Sequence, residues 1–326
     1  MDDGLRPDLL TPRGDTGPLA APFELRHREP ALSPESGRET LGPALFATPL
    51  VTVGRWRCPR DSRVFADSGP ARGHLVVFPR TGVWIQHEGG ERFVADPTVV
   101  TFYNAGQRYR RFPLSASGDR GEWYAVAPEA VAHVVRRHDP GAVDRGPRVF
   151  PFSHGPSDRA SYVAQRAVYE HVCRHEQPDP LYVEEAVLDV LDRVTAQAFG
   201  QTRRGADTGS AADRELADAL LSVIARRYAD RASLHDLAGE VGCSPFHLAR
   251  AFKRVTGRTV HAHRTDLRMR AALDALADPA CDLLTLALSL GYSSHSHFGE
   301  VFGRAFRQAP SALRRRLGGA ASTAPP

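Results

Sequence analysis

The sequence predicts an α+β chain: a small antiparallel β-barrel or sandwich with a helical pair behind it, then an all-α domain holding two helix-turn-helix units. Three observations predict it. Between residues 44 and 128, short runs rich in Val, Phe, Tyr and Trp are separated by Gly, Pro and Asp turn formers. From Arg214 onward the pattern is almost entirely helical. Within that helical third one unit occurs twice, because a shift of 50 positions lays Ser244 on Ser294, Leu248 on Phe298, Phe252 on Phe302 and Arg254 on Arg304.

The first 42 residues are rich in Pro, Gly, Arg, Asp and Ser, show no sustained period and read as a disordered arm. ALFATPLVTVGRW, HLVVFP, GVWIQHE, RFVADPTVVTFYN and EWYAVAP are each of strand length and each ends at a turn former. After a Pro/Gly-rich bridge, SDRASYVAQRAVYEHVCRHEQ and LYVEEAVLDVLDRVTAQAF carry apolar residues at helical spacings. They form a pair able to pack on the barrel or on a second subunit. GQTRRGADTGSAAD, residues 200–213, is polar and without apolar period, and reads as the interdomain linker.

The duplicated unit has legible chemistry. In the first copy, about 234–256, Ser233 caps a short helix with Asp236 three residues on, a capping-box arrangement. Gly242 tolerates the left-handed turn that ends it. Ser244 then offers an N-cap oxygen, and Pro245 takes the first helical position, where a missing N–H costs nothing. Leu248, Phe252 and Val255 make an apolar stripe at i, i+4 and i+7. Phe246, His247, Arg250, Lys253 and Arg254 are left facing outward or rimming that stripe, and Lys253 is the only lysine among 42 basic residues. The second copy spans about 284–306. Between them TVHAHRTDLRMRAALDALADP reads as a rigid connecting helix with Val260, Leu267, Ala271 and Leu276 on its apolar side. An α-helix of this kind fits the DNA major groove, where Arg bonds guanine and Arg or Lys pairs with phosphate. Two such helices held about one DNA turn apart enter successive grooves.

Charge distribution agrees. Residues 211–326 hold 16 Arg or Lys against 11 Asp or Glu, while residues 1–210 hold 26 against 27. The basic excess sits where the repeat sits, as expected of a polyanion-binding module beside a neutral partner. Cys58, Cys173, Cys243 and Cys281 are scattered without a CxxC pair, which excludes zinc-ribbon and thioredoxin-like chemistry. There is no GxSxG elbow, HExxH or phosphate loop. MDDGLRPDLL carries acid where a signal peptide carries base, and no apolar run approaches the roughly 20 residues needed to cross a bilayer. A cytoplasmic, nucleoid-associated location is expected, with no membrane partner.

In SLHDLAGEVGCSPFHLARAFKRVTG, LRMRAAL, LTLALSLGYSSHSHFGEVFGRAF and APSALRR, over about 100 residues from Glu215 to Arg315, the sequence resembles the AraC/XylS family of bacterial transcription regulators. The resemblance implies a seven-helix DNA-binding domain over 214–317. It places Phe246, His247, Arg250, Lys253 and Arg254 at the DNA-contacting positions of the first unit, and His295, Ser296, His297 and Arg304 at those of the second. Phe246 has two open roles, contact with a thymine methyl or packing near the turn. In the second unit Glu300 is the counterpart of Arg250, Gly303 that of Lys253, and Arg307 stands where the family has glycine ahead of the terminal Pro310. An acid facing phosphate is repulsive unless it accepts from a cytosine N4 amine. The first unit is therefore expected to supply most of the affinity.

For residues 43–199 the resemblance implies a cupin-like barrel that senses a small molecule or mediates dimerisation, followed by the 200–213 linker, the DNA-binding domain and a disordered tail over 318–326. The GxxxxxHxH cluster of metal-dependent cupins is missing: His74 and His87 are isolated, and Tyr109 sits where a later His would be sought. No metal, cofactor or catalytic residue is expected. Trp56, Trp84, Tyr103, Arg108 and Tyr109 are ligand-site candidates by residue type only. The expected function is sequence-specific, effector-controlled transcription regulation, activation included, with double-stranded DNA, RNA polymerase, a small-molecule effector and a second copy of the chain as partners. A cupin-type enzyme carrying a DNA-binding tail is the alternative, and a barrel that only dimerises is a third reading.

Overall fold

The computed structural model of the chain describes residues 42–318 except 66–67, 117, 142–147, 204–208 and 279. Apart from Gly42, the arm expected over 1–42 lies outside the described residues, as does the tail beyond Gly318.

The first half holds nine strands: β1 (Ala44–Ala47), β2 (Val51–Cys58), β3 (His74–Pro79), β4 (Val83–His87), β5 (Arg92–Ala95), β6 (Val99–Tyr103), β7 (Tyr109–Pro113), β8 (Asp119–Val126) and β9 (His154–Pro156). They form a six-stranded antiparallel sheet in the order β1-β2-β8-β3-β6-β9 and a three-stranded sheet in the order β5-β4-β7. No ladder joins the two sheets among the described residues, so the predicted barrel is an open pair of facing sheets. Strand alternation explains why they face each other. In β8, Trp123 turns into the inter-sheet core with Trp56, Leu75, Val77, Ile85, Tyr103 and Tyr109. Its neighbour Tyr124 turns to the opposite face, with Val53, Val76, Phe78 and Phe102.

Each tryptophan in this core lies over a glycine of the neighbouring strand. Gly121 pairs with Trp56 and Gly54 with Trp123. A Cβ on Gly121 would stand 2.1 Å from the Trp56 ring, and one on Gly54 would stand 2.2 Å from the Trp123 ring. Only glycine leaves room for rings of this size inside so narrow a sandwich.

The outer face of the large sheet is covered by three helices, α1 (Pro128–Arg136), α2 (Arg159–Arg174) and α3 (Pro180–Arg203). Helix α3 lays Val183, Val187, Val190, Leu191, Val194 and Ala198 into the second core, the i, i+3, i+4 stripe of a half-buried helix. Asp158 caps α2 by accepting from the Ser161 N–H at 2.7 Å. The expected helical pair is present, and α1 is an addition to it.

The second half consists of α4 (Ala211–Arg227), α5 (Leu234–Glu240), α6 (Pro245–Thr256), α7 (Val260–Ala275), α8 (Leu283–Ser289), α9 (His295–Phe306) and α10 (Pro310–Gly318). The segment read as linker is shorter than its composition suggests. Its first residues extend α3 and its last begin α4, because Ser210 and Asp213 form a complete capping box. Two cores serve these helices. Leu220, Ile224, Leu237, Leu248 and Phe252 form one, while Leu286, Ala287, Tyr292, Phe298 and Phe302 form the other. Helix α7 contributes Val260 and Leu267 to the first and Met269 and Leu273 to the second, with its C-cap Leu276 beside them, and so fastens the two units into one body.

Candidate nucleic-acid interface

Helices α6 and α9 are the second helices of the two repeats, and they match in length and in their caps. Each has 12 residues and starts at a serine whose side chain accepts from a histidine N–H, Ser244 from His247 at 3.2 Å and Ser294 from His297 at 3.2 Å. Each ends in a left-handed cap, at Gly257 with φ 70° and at Arg307 with φ 55°. The cap N–H groups bond the Lys253 and Gly303 carbonyls at 2.9 and 2.8 Å. Arg307 is the one non-glycine residue with positive φ among the described residues. An L side chain is crowded in that conformation, so Arg307→Gly should stabilise the fold by about 1 kcal/mol, read as a raised midpoint in urea. Loss of stability would show that the arginine side chain compensates for its backbone.

All nine residues singled out on these helices are exposed: Phe246, His247, Arg250, Lys253 and Arg254 on α6, and His295, Ser296, His297 and Arg304 on α9. Phe246 is 70% exposed, so it takes no part in the core. The Arg250 guanidinium stands 5.4 Å from the Phe246 ring centroid, a cation–π contact that pre-positions the arginine on the outer face. Arg254 is partly occupied, its Nη1 pairing with Asp213 Oδ2 at 2.6 Å and tying α6 to the start of α4. On α9 the Arg304 guanidinium is 3.6 Å from Glu300, an exposed pair. The tips of α6 and α9 therefore offer different charge: Arg250, Lys253 and Arg254 on the first, Glu300 balanced by Arg304 on the second.

A family model described as a helix-turn-helix domain matches residues 237–316, which take in the second unit and all but the first turn of the first. Two curated relatives are similar to part of this chain. The HTH-type transcriptional regulator GlxA of Rhizobium meliloti is 36% identical over 118 residues, covering 34% of this chain and 36% of the relative. The HTH-type transcriptional activator RhaS of Pectobacterium carotovorum is 27% identical over 146 residues, covering 44% of this chain and 50% of the relative. The C-terminal domain belongs to the AraC/XylS family. This chain spans half or less of the length of those two relatives. A solved AraC-type regulator from Chromobacterium violaceum aligns with 34% of this chain and 99% of its own at 23% identity and a TM-score of 0.31, too loose a superposition to argue from.

The AraC-type domain does not stand free of the strand-bearing half. Along α7, His263, Asp266, Arg270 and Asp274 fall at i, i+3, i+7 and i+11, on one face. That face docks onto the first half through charge. His263 Nε2 lies 3.0 Å from Asp96 Oδ2, in the turn between β5 and β6. Asp266 takes the Arg159 Nε–H at 2.8 Å. Arg270 donates to the Pro97 carbonyl at 2.9 Å, the Ser157 carbonyl at 2.6 Å and Asp266 at 3.1 Å. Asp274 accepts from Arg80 and from the Tyr162 hydroxyl, each at 3.0 Å.

Arg80 joins three bodies at once, for it also donates to Glu122 of β8 at 2.5 Å and to Gln165 of α2 at 3.1 Å. Burial alone would lower its pKa, yet Asp274 and Glu122 raise it above the usual arginine value. Burial would push the Asp266 carboxyl up, and Arg270, Arg258 and Arg159 overcome this and hold it below its ordinary value. The sequence reading missed this face because charged residues beside an apolar stripe ordinarily face solvent. The signal available was their i, i+3, i+7, i+11 spacing on a helix whose two other sides were already apolar.

The other candidates scatter. Trp56, Tyr103 and Tyr109 line a small space between the sheets together with Arg111 and Asp119, which pair at 2.9 Å. Burial pushes the Asp119 carboxyl up despite that arginine. The cavity measures about 10 Å³, room for about one water. Trp84 and Arg108 lie outside it: the Trp84 ring carries the Arg92 guanidinium at 4.7 Å, and Arg108 is exposed. His74 and His87 are both buried, and burial pushes the His87 pKa down to about 4, with His154 adding to it. Among the described residues, no three His, Cys, Asp or Glu side chains converge as a metal site would require, and no helix is long and apolar enough to cross a membrane.

Proposed function

We propose that the chain is a sequence-specific transcription regulator whose two reading helices, α6 and α9, enter successive major grooves of double-stranded DNA. The observation that carries this is the cap-to-cap equivalence of two helices joined by one shared helix, both with outer faces open while the first half remains docked. Helix α7, 16 residues or ~24 Å long, is a spacer of the right order for one DNA turn. Docking covers α7 and leaves the readers uncovered, so control of DNA binding would work through the rigidity and angle of the pair.

The assay is selection of duplexes from a randomised pool by the full chain, followed by titration across salt. Arg250→Ala should weaken the selected duplex by about 1 to 3 kcal/mol. Each phosphate contact should steepen the slope of log affinity against log salt by about 0.9. Unchanged affinity in Arg250→Ala, with the fold intact, removes that residue from the interface.

The strand-bearing half serves in this reading as a cupin-like sensor or dimerisation module. A small-molecule effector would enter between the sheets beside Arg111, Asp119, Trp56, Tyr103 and Tyr109, and would have to widen a space with room for about one water. Calorimetry against metabolites tests that entry. Sedimentation of the whole chain tests a second copy as partner. Because one relative is named an activator, contact with RNA polymerase is part of the same proposal, and transcription in vitro from a selected duplex tests it.

A further inference from the structure

We propose that Glu300 determines the base specificity of the second reader by accepting a hydrogen bond from the N4 amine of a cytosine in the second half-site. This rests on the DNA-reading function proposed above. The internal repeat supplies the register. Counted from the capping serines, Glu300 occupies on α9 the place that Arg250 occupies on α6, and both helices keep the same length and the same kind of cap at each end. The inward residues keep their work as well, Leu248 and Phe252 in one core, Phe298 and Phe302 in the other, all fully buried. What the duplication has changed is the outward face.

The fold makes no use of the Glu300 carboxylate. Its side chain is 70% exposed, and its one ion pair among the described residues, with Arg304 at 3.6 Å, is itself 75% exposed on the arginine side. Exposed pairs of this kind contribute little to stability. Arg304 compensates the charge, so α9 brings no net charge from positions 300 to 304 to a polyanion, where α6 brings three basic residues. A helix that cannot be held in a groove by charge must be held by directional contacts, and Glu300 stands among His295, Ser296 and His297 to make them.

A carboxylate only accepts. In the major groove guanine offers acceptors, thymine an acceptor and a methyl group, and adenine a donor beside an acceptor; cytosine offers its N4 donor alone. The carboxylate is therefore opposed by the acceptors of guanine and thymine, half-matched by adenine and fully matched by cytosine. A single contact of this type gives a preference of about 5- to 10-fold for cytosine at one position.

The experiment keeps the selected first half-site and varies each base of the second, using the full chain and its E300Q and E300A variants. The expected result is enrichment of cytosine at one position by the unmodified chain, loss of that preference in E300A, and a shift toward adenine in E300Q, since an amide matches the adenine N6 and N7 pair. First-half-site preferences stay as they were in all three. The assignment is overturned if both variants keep the original preference at every second-half-site position. It is equally overturned if E300A binds all sequences more tightly by one common factor, the mark of a carboxylate that merely repels phosphate. Enrichment confined to the first half-site defeats this assignment alone; no enriched duplex at all defeats the DNA-reading proposal with it.

Discussion

Arg270→Ala should loosen the docked structure by about 3 to 5 kcal/mol, the range for breaking a buried ion pair by removing one partner. Arg270 is 1% exposed and is bonded to Asp266 and to the Pro97 and Ser157 carbonyls. Its removal strands two carbonyls and weakens the hold on Asp266, whose other partners, Arg159 and Arg258, are 40% and 37% exposed. The cheapest escape is separation of the halves, since the face of α7 is polar and can be hydrated. Calorimetry should then show one unfolding transition splitting into two, with faster proteolysis between α3 and α4. A single transition at the original temperature would refute the account. Acid should act similarly: Asp266 titrates below its ordinary value in the folded chain, so its contribution is complete above about pH 4 and fades as pH falls through that lower value.

Gly291→Ala and Gly242→Ala, the same substitution at the same turn of the two repeats, should differ several-fold in cost. Both glycines have positive φ, 79° and 74°. A Cβ on Gly242 meets nothing within 4 Å, so only the backbone conformation is penalised, by about 1 kcal/mol. A Cβ on Gly291 would stand 2.2 Å from the Ala229 carbonyl oxygen and 2.9 Å from Arg268 Nη2. Those atoms cannot give way easily, because Arg268 is bonded to the carbonyls of Tyr228, Ala229 and Asp230. About 3 kcal/mol or more is expected there, overpacking added to the backbone penalty. Urea titration of the two variants side by side decides it, and equal losses would contradict the contact.

The parts of the fold that short-range chemistry dictates were legible in the sequence. Ser233 with Asp236, and Ser244 with Pro245, cap the helices they were expected to cap, because a cap involves residues three apart. HLVVFP forms β3 as read, since every residue in it is buried. Strand β7 was missed: YRRFP looks like surface, yet Arg111 points inward and pairs with Asp119 of β8. Helix α1 was readable from Val131, Val134 and Val135 at i, i+3 and i+4, but a neighbouring Pro/Gly-rich stretch obscured it. The outer faces of α6 and α9 could be read because the repeat aligns them. The docking face of α7 showed only as a spacing of charged residues, since its partners Asp96, Arg159 and Arg80 lie over a hundred positions away in the chain and no local pattern announces them.

Tyr162 belongs by sequence to α2, yet its ring is 1% exposed among Met269, Leu273 and Leu276 of the AraC-type domain, with the Arg80 and Arg270 guanidiniums at 4.8 and 4.6 Å from its centre. The strand-bearing half thus lends a plug to a socket in the helix-turn-helix half. Excising the reader leaves that socket gaping, so the severed piece need not match the rigidity or duplex affinity of the same residues within the whole polypeptide.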